Sequence, residues 1–299
     1  MAPYSDMDGY CIGLQSLSAE VIERILVHCR PCDVAAFSQI CRRMHALIYH
    51  STDQYIWREL FLTSFDDPRK THEGFCECPL FDWKGELQCR IRAKEIARSP
   101  RASPAEQTEA LQTFLSVVCS ASPVARGDDR VPSSSLLWVM DILQSTHLLQ
   151  SPTFDGHNGS QNLARLRSYL ALTLDDCGED DVKGMARVKA TRSRSRCYVY
   201  DLGHYSKNND WGPFTQHGNV NWVHIESIMN VILSNQAELP SEYADIRPRC
   251  GLEATRAYST PGAATRSTRD WAGVEGKWRR YVSFMDYRCV HPRATRWIG

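Results

Sequence analysis

Large apolar residues recur at helical spacing from Leu17 onward. Leu17, Val21, Ile22, Ile25, Leu26 and Cys29 share one helical face, the pattern of a segment that buries one side. Ser18 stands where an N-cap is expected, its hydroxyl able to accept from a free backbone N–H. Leu17 and Ile22 then form the two ends of a hydrophobic staple. Pro31 lacks an N–H and disfavours helix at Arg30, so it stops this helix. Asp33 is placed to cap a second helix carrying Val34, Ala35, Phe37, Ile40 and Cys41. Met44, Leu47 and Ile48 mark a third, and Ile56, Trp57, Leu60 and Phe61 a short fourth.

A polar break follows over Asp66–Glu77. Trp83, Leu87, Ile91 and Ile96 resume the helical period. Further helices are predicted at Leu111–Val118, Leu136–Leu149 and Leu163–Leu172, and another carries Trp222, Ile225, Met229, Ile232 and Leu233. Ser99–Pro104, Ser120–Ser135 and Ser151–Ser160 have loop composition. An acidic run, Asp175–Asp181, leads into a basic one, Arg187–Arg196. Cys197–Leu202 is β-branched and aromatic and predicts a strand. Asn208–Gly218 is rich in turn residues. Trp271–Tyr287 predicts a strand or the start of a hairpin, with Val274, Trp278, Val282 and Phe284 on one face. Residues 288–299 show no period and are expected to be disordered. The fold class expected is mainly α, with N-terminal helices, an irregular helical region and a minor β component near the C-terminus.

Composition narrows the function classes. A chain of 299 residues predicts about two domains. Lys+Arg and Asp+Glu are equal at 35, so no net field draws the chain to nucleic acid or an anionic membrane, and neither is an expected partner. The 12 cysteines are irregularly spaced, unlike a disulfide scaffold. Residues 1–16 carry Asp6, Asp8 and Gln15 and lack the basic start and apolar core of a secretory signal. The longest apolar stretch, Leu136–Leu149, is interrupted by Asp141 and His147 and falls short of the ~20 residues a spanning helix needs. The expected location is the cytosol or nucleus, with reduced thiols.

Four groups of residues invite chemistry. Cys29 and Cys32 form a CxxC, but it follows a predicted helix rather than a strand, which favours packing at a helix turn over redox chemistry. Among His72, Cys76, Cys78 and Cys89, the Cys76-x-Cys78 spacing is tighter than a paired zinc motif, so free thiols and no metal are expected. His204, His217 and His224 lie near Asp201 and Asp210, which leaves a catalytic dyad open, but no nucleophile elbow or Gly-rich phosphate loop accompanies them. Trp211, Phe214 and Trp222 are read as core. Arg192, Arg194 and Arg196 either grip phosphate or form a solvated loop. No cofactor motif is present.

The first region carries a resemblance. Leu17-Ser18-Ala19-Glu20-Val21-Ile22-Glu23-Arg24-Ile25-Leu26, Pro31-Cys32-Asp33-Val34, Phe37 to Met44 and Ile56-Trp57-Arg58-Glu59-Leu60-Phe61 resemble the F-box family in order and spacing over residues 17–61. Ser18 stands where the family usually has Pro. So small a set of helices completes its core with the rest of the chain or with a partner. The resemblance implies that partner: a Skp-type adaptor, joined through it to cullin and RING subunits. It implies a non-catalytic substrate receptor of a ubiquitin ligase, with an interaction module acting without ubiquitylation as the alternative. Leu17, Val21, Ile22, Ile25, Leu26, Pro31, Val34, Phe37 and Trp57 are the implied adaptor contacts.

The remainder is similar to the post-F-box regions of fungal, basidiomycete-type F-box proteins. Tyr198-Val199-Tyr200-Asp201, Trp211-Gly212-Pro213-Phe214, Val220 to His224 and Trp271 to Trp278 carry that similarity. A Gly-x-Trp strand there resembles the opening of a lipocalin-like barrel. Too little chain follows Gly276 to close a barrel of ~8 strands, so a truncated substrate-binding region is expected. The domain plan is a tail at 1–16, the F-box at 17–61, a helical or α+β recognition region for an unknown target at 72–287, and a tail at 288–299.

Overall fold

The computed structural model describes residues 16–51, 53–68, 81–121, 133–146, 148, 158–171 and 182–237. It divides the chain into two compact units, residues 1–65 with 77–89, and residues 66–76 with 90–299.

The first unit is built from α1 (Ala19–Leu26), α2 (Pro31–Ser38), α3 (Arg42–Tyr49), α4 (Tyr55–Leu62) and the opening turns of α5 (Trp83–Arg98). Helices this short are marginal in isolation, so tertiary packing must hold them. Ile22, Leu26, Val34, Met44, Ile48, Ile56, Leu60, Phe61 and Leu87 supply that packing, all nearly inaccessible to solvent. Phe61 meets Trp83 edge-on, ring centroids 5.4 Å apart, and meets Phe65 at a tilt, 5.1 Å apart. Aromatic contacts of this kind add to the burial energy of each ring.

Helix starts differ in detail from expectation. Ser18 is the N-cap of α1, but its hydroxyl makes no capping bond to the backbone. The Glu20 backbone N–H, then the neighbouring Ser18 hydroxyl, hold the Glu20 carboxyl below the ordinary range. Pro31 occupies the first turn of α2, where a missing N–H is no loss. Arg30 is therefore the N-cap, and Asp33 lies inside the helix, paired to Arg30 at 2.9 Å.

The second unit holds α6 (Pro104–Cys119), α7 (Ser134–Ser145), α8 (Asn158–Leu170), α9 (Val182–Tyr200) and α10 (Trp222–Ala237), with the later turns of α5. Leu111, Phe114, Val118, Leu136, Ile142, Leu143 and Leu166 form its main core. Ser103 and Glu106 close a capping box on α6. Asp66 accepts from the Ser134 backbone N–H at 2.9 Å and from the Ser133 hydroxyl, anchoring the start of α7. In a second packing group, α10 lies against both α8 and α9.

Helix dominates as expected, but two readings over Arg192–Leu202 are corrected. Arg192, Arg194 and Arg196 do not lie in a loop, and Cys197–Leu202 is not a strand. Residues 182–200 are one helix, followed by a 3₁₀ turn at Leu202–His204. Among the described residues β pairing is confined to one antiparallel bridge, Phe214 to Val220. The expected strand at Trp271–Tyr287 and the tail at 288–299 lie outside the described residues.

Candidate functional site

The first unit sorts the nine implied contact residues by accessibility. Ile22, Leu26, Val34 and Trp57 are buried in its core. Trp57 also donates its indole N–H to the Ile48 carbonyl at 2.8 Å, which ties α4 to the end of α3. Leu17, Pro31 and Phe37 are half-buried. Val21 and Ile25 are 45% and 48% exposed, one turn apart on the outer face of α1. Ile40, just past α2, is 64% exposed and was not among the implied contacts. Its position three residues after Phe37 was the available signal.

Several polar contacts fix these helices. Arg43 donates to the Leu17 carbonyl at 3.0 Å, tying α3 to the segment entering α1. Asp53 accepts from Ser51 and from the Tyr55 N–H, and these bonds hold its carboxyl below the ordinary range. Gln54 adopts a left-handed conformation before α4, and its side chain accepts from the Lys84 N–H at 3.2 Å. A cleft of ≈ 280 Å³ opens here, lined by Tyr49, Gln54, Trp57, Asp82, Lys84 and Gln88 among others.

The other candidate groups are placed as follows. Cys29 carries a free thiol in the turn between α1 and α2, and Cys32 carries one in the first turn of α2. His72, Cys76 and Cys78 lie outside the described residues. Among the described residues no three His, Cys, Asp or Glu side chains gather to hold a metal, and no helix is long and apolar enough to cross a membrane.

His204 and His224 do come together, with ring centroids 6.1 Å apart. His204 stacks on Tyr198 and places Nδ1 2.9 Å from that residue's carbonyl oxygen. Tyr205 donates its hydroxyl to the Val199 carbonyl at 2.8 Å, so its oxygen is left to accept from Nε2–H of buried His224 at 3.0 Å. Burial, then the neighbouring His204, pushes the His224 pKa down. His217 is exposed in the Thr215–Gly218 turn. Both inward histidines thus join the end of α9 to the start of α10, and the cleft described above contains none of the three. Trp211 is 69% exposed and Phe214 37%, so neither is core, while Trp222 is half-buried.

Residues 14–52 match the family model described as the F-box domain. The chain carries an F-box. An F-box implies binding to a Skp-type adaptor and a place in a ubiquitin ligase complex, and F-box proteins are in general non-catalytic. Comparison of the chain with curated proteins and with solved structures finds no match. The F-box match covers α1, α2 and α3, which contain the exposed Val21 and Ile25 and precede Trp57.

Proposed function

We propose that this chain is a substrate receptor of a Skp–cullin–F-box ubiquitin ligase. The F-box match over residues 14–52 carries the reading. Its helices present large aliphatic side chains outward, and such groups lose contact with water only when a partner covers them. In this reading Val21, Ile25 and Ile40, with Leu17, Pro31 and Phe37 beside them, make the adaptor contact. Ile22, Leu26, Val34 and Trp57 act one step removed, by holding α1 and α2 in place. Cullin and RING subunits join through the adaptor, and a protein target is held by the second unit. The chain's contribution is then proximity and orientation, with bond making left to the conjugating enzyme.

Titration of the full chain with a Skp-type adaptor tests this. Val21→Glu with Ile25→Glu is expected to weaken binding by about thirtyfold, the equivalent of one anchor worth ~2 kcal/mol. Glu20→Gln, at an exposed polar position of α1, is expected to bind as the unmodified chain does. Circular dichroism confirms that the double variant keeps its helices. Full-strength binding by the folded double variant would remove α1 from the contact. No binding by the unmodified chain would remove the receptor reading.

A further inference from the structure

We infer that the N-terminal half of α9 is a docking face for a carboxylate-rich, apolar-studded segment of another protein. The inference rests on the receptor reading, because it names the chemistry of the target segment.

The rotation of α9 is settled by its inner face. Gly184 and Ser195 are buried, and Asn230 of α10 donates to the Ser195 hydroxyl at 3.2 Å. The opposite positions therefore face solvent. Lys183 and Arg187 stand one turn apart on one flank, and Met185 and Lys189 one turn apart on the other, all exposed. Val182 and Met185 are 78% and 55% exposed, so aliphatic surface lies among the cations.

No acidic residue occurs between 182 and 200, so the helix contains no partner for these charges. Lys183, in the first turn of α9, also gains nothing from the helix dipole, whose positive end it crowds. Arg192, Arg194 and Arg196 are engaged in interactions of their own, which leaves the proposal on the first half of the helix.

The mixture selects the occupant. Carboxylates complement the three cations, and aliphatic side chains complement Val182 and the adaptable Met185. Nucleic acid fits less well. Residues 182–190 offer no aromatic ring for a base to stack on.

The test uses the full chain with its adaptor bound. The probe is a fluorescent synthetic peptide of Glu and Leu, with a Gln-for-Glu version and a single-stranded oligoribonucleotide of equal charge beside it. The Glu peptide is expected to bind and to weaken as salt rises, and the Gln peptide to bind far less. Lys183→Gln, Arg187→Gln and Lys189→Gln together are expected to weaken the Glu peptide about tenfold, while adaptor affinity and the circular dichroism spectrum stay unchanged. Equal binding of the Gln peptide, indifference to the triple variant or absence of peptide binding overturns the proposal. Tighter binding of the oligoribonucleotide through the same three residues overturns it in favour of a nucleic-acid face. Binding that arises only after the acids of Asp175–Asp181 become amides overturns it in favour of the chain's own acidic run. Failure of adaptor binding with peptide binding intact strikes the receptor reading alone and leaves the docking face standing.

Discussion

His224 shows how a residue with chemical potential is put to structural use. It is buried, and its Nε2–H is given to Tyr205, whose own proton goes to Val199. Its pKa is pushed down, so the unfolded chain takes up this proton more readily than the folded one. Where the unfolded state binds more protons, stability rises with pH. As pH falls through the ordinary histidine range near ~6.5, the fold should therefore lose stability. His224→Gln keeps an amide donor for Tyr205 and removes the titration. Urea midpoints between neutral and mildly acid pH should fall for the unmodified chain and fall less for the variant. Equal slopes would remove His224 as the cause. Trp57 makes a separate residue-scale case. Trp57→Phe leaves the buried Ile48 carbonyl without its indole partner, and a loss of about 1–3 kcal/mol is expected in urea unfolding. An unchanged midpoint would contradict it. The aromatic and apolar character of Trp57 was legible in the sequence, but its partner was not, because periodicity gives a face and not the carbonyl opposite it.

Between elements, a buried ion pair, Arg167–Glu226, links α8 to α10. The two side chains meet at 3.1 Å and are 10% and 9% exposed. Glu226→Ala removes this carboxylate from the buried Arg167 guanidinium, and the lost charge-assisted hydrogen bond should cost about 1.5–3 kcal/mol in chemical unfolding. The Arg30–Asp33 pair of α2 has side chains 79% and 48% exposed, so Asp33→Asn should leave the midpoint nearly unchanged. Similar losses from both variants would mean that burial does not decide the worth of these pairs. The helices of the first unit were legible because large aliphatic residues mark their inner faces. Helix α9 was not, because its buried positions are Gly184 and Ser195. Small residues let it lie close to α10 but leave no apolar stripe to read. Its end, Cys197 to Tyr200, has strand-like composition, and the packing against α10 overrides that local preference.

For the whole molecule, the two units differ in what their sequences disclose. The first carries the F-box pattern, and residues 14–52 match that family. The second declared most of its helices through spacing but not their use, because helix packing alone specifies no ligand. Within the F-box, exposure separates residues that hold the module from residues that can meet a partner, a distinction periodicity alone did not make for Ile22 and Ile25. Val21→Glu with Ile25→Glu belongs at this scale too, since its effect is read on the assembled complex. The most direct test of the central claim is hydrogen–deuterium exchange of the full chain with and without a Skp-type adaptor. The adaptor is expected to slow exchange in α1 and α2 and to leave α6 to α10 as they were. Adaptor-induced protection absent from α1 and α2, or confined to residues 182–237, would contradict it.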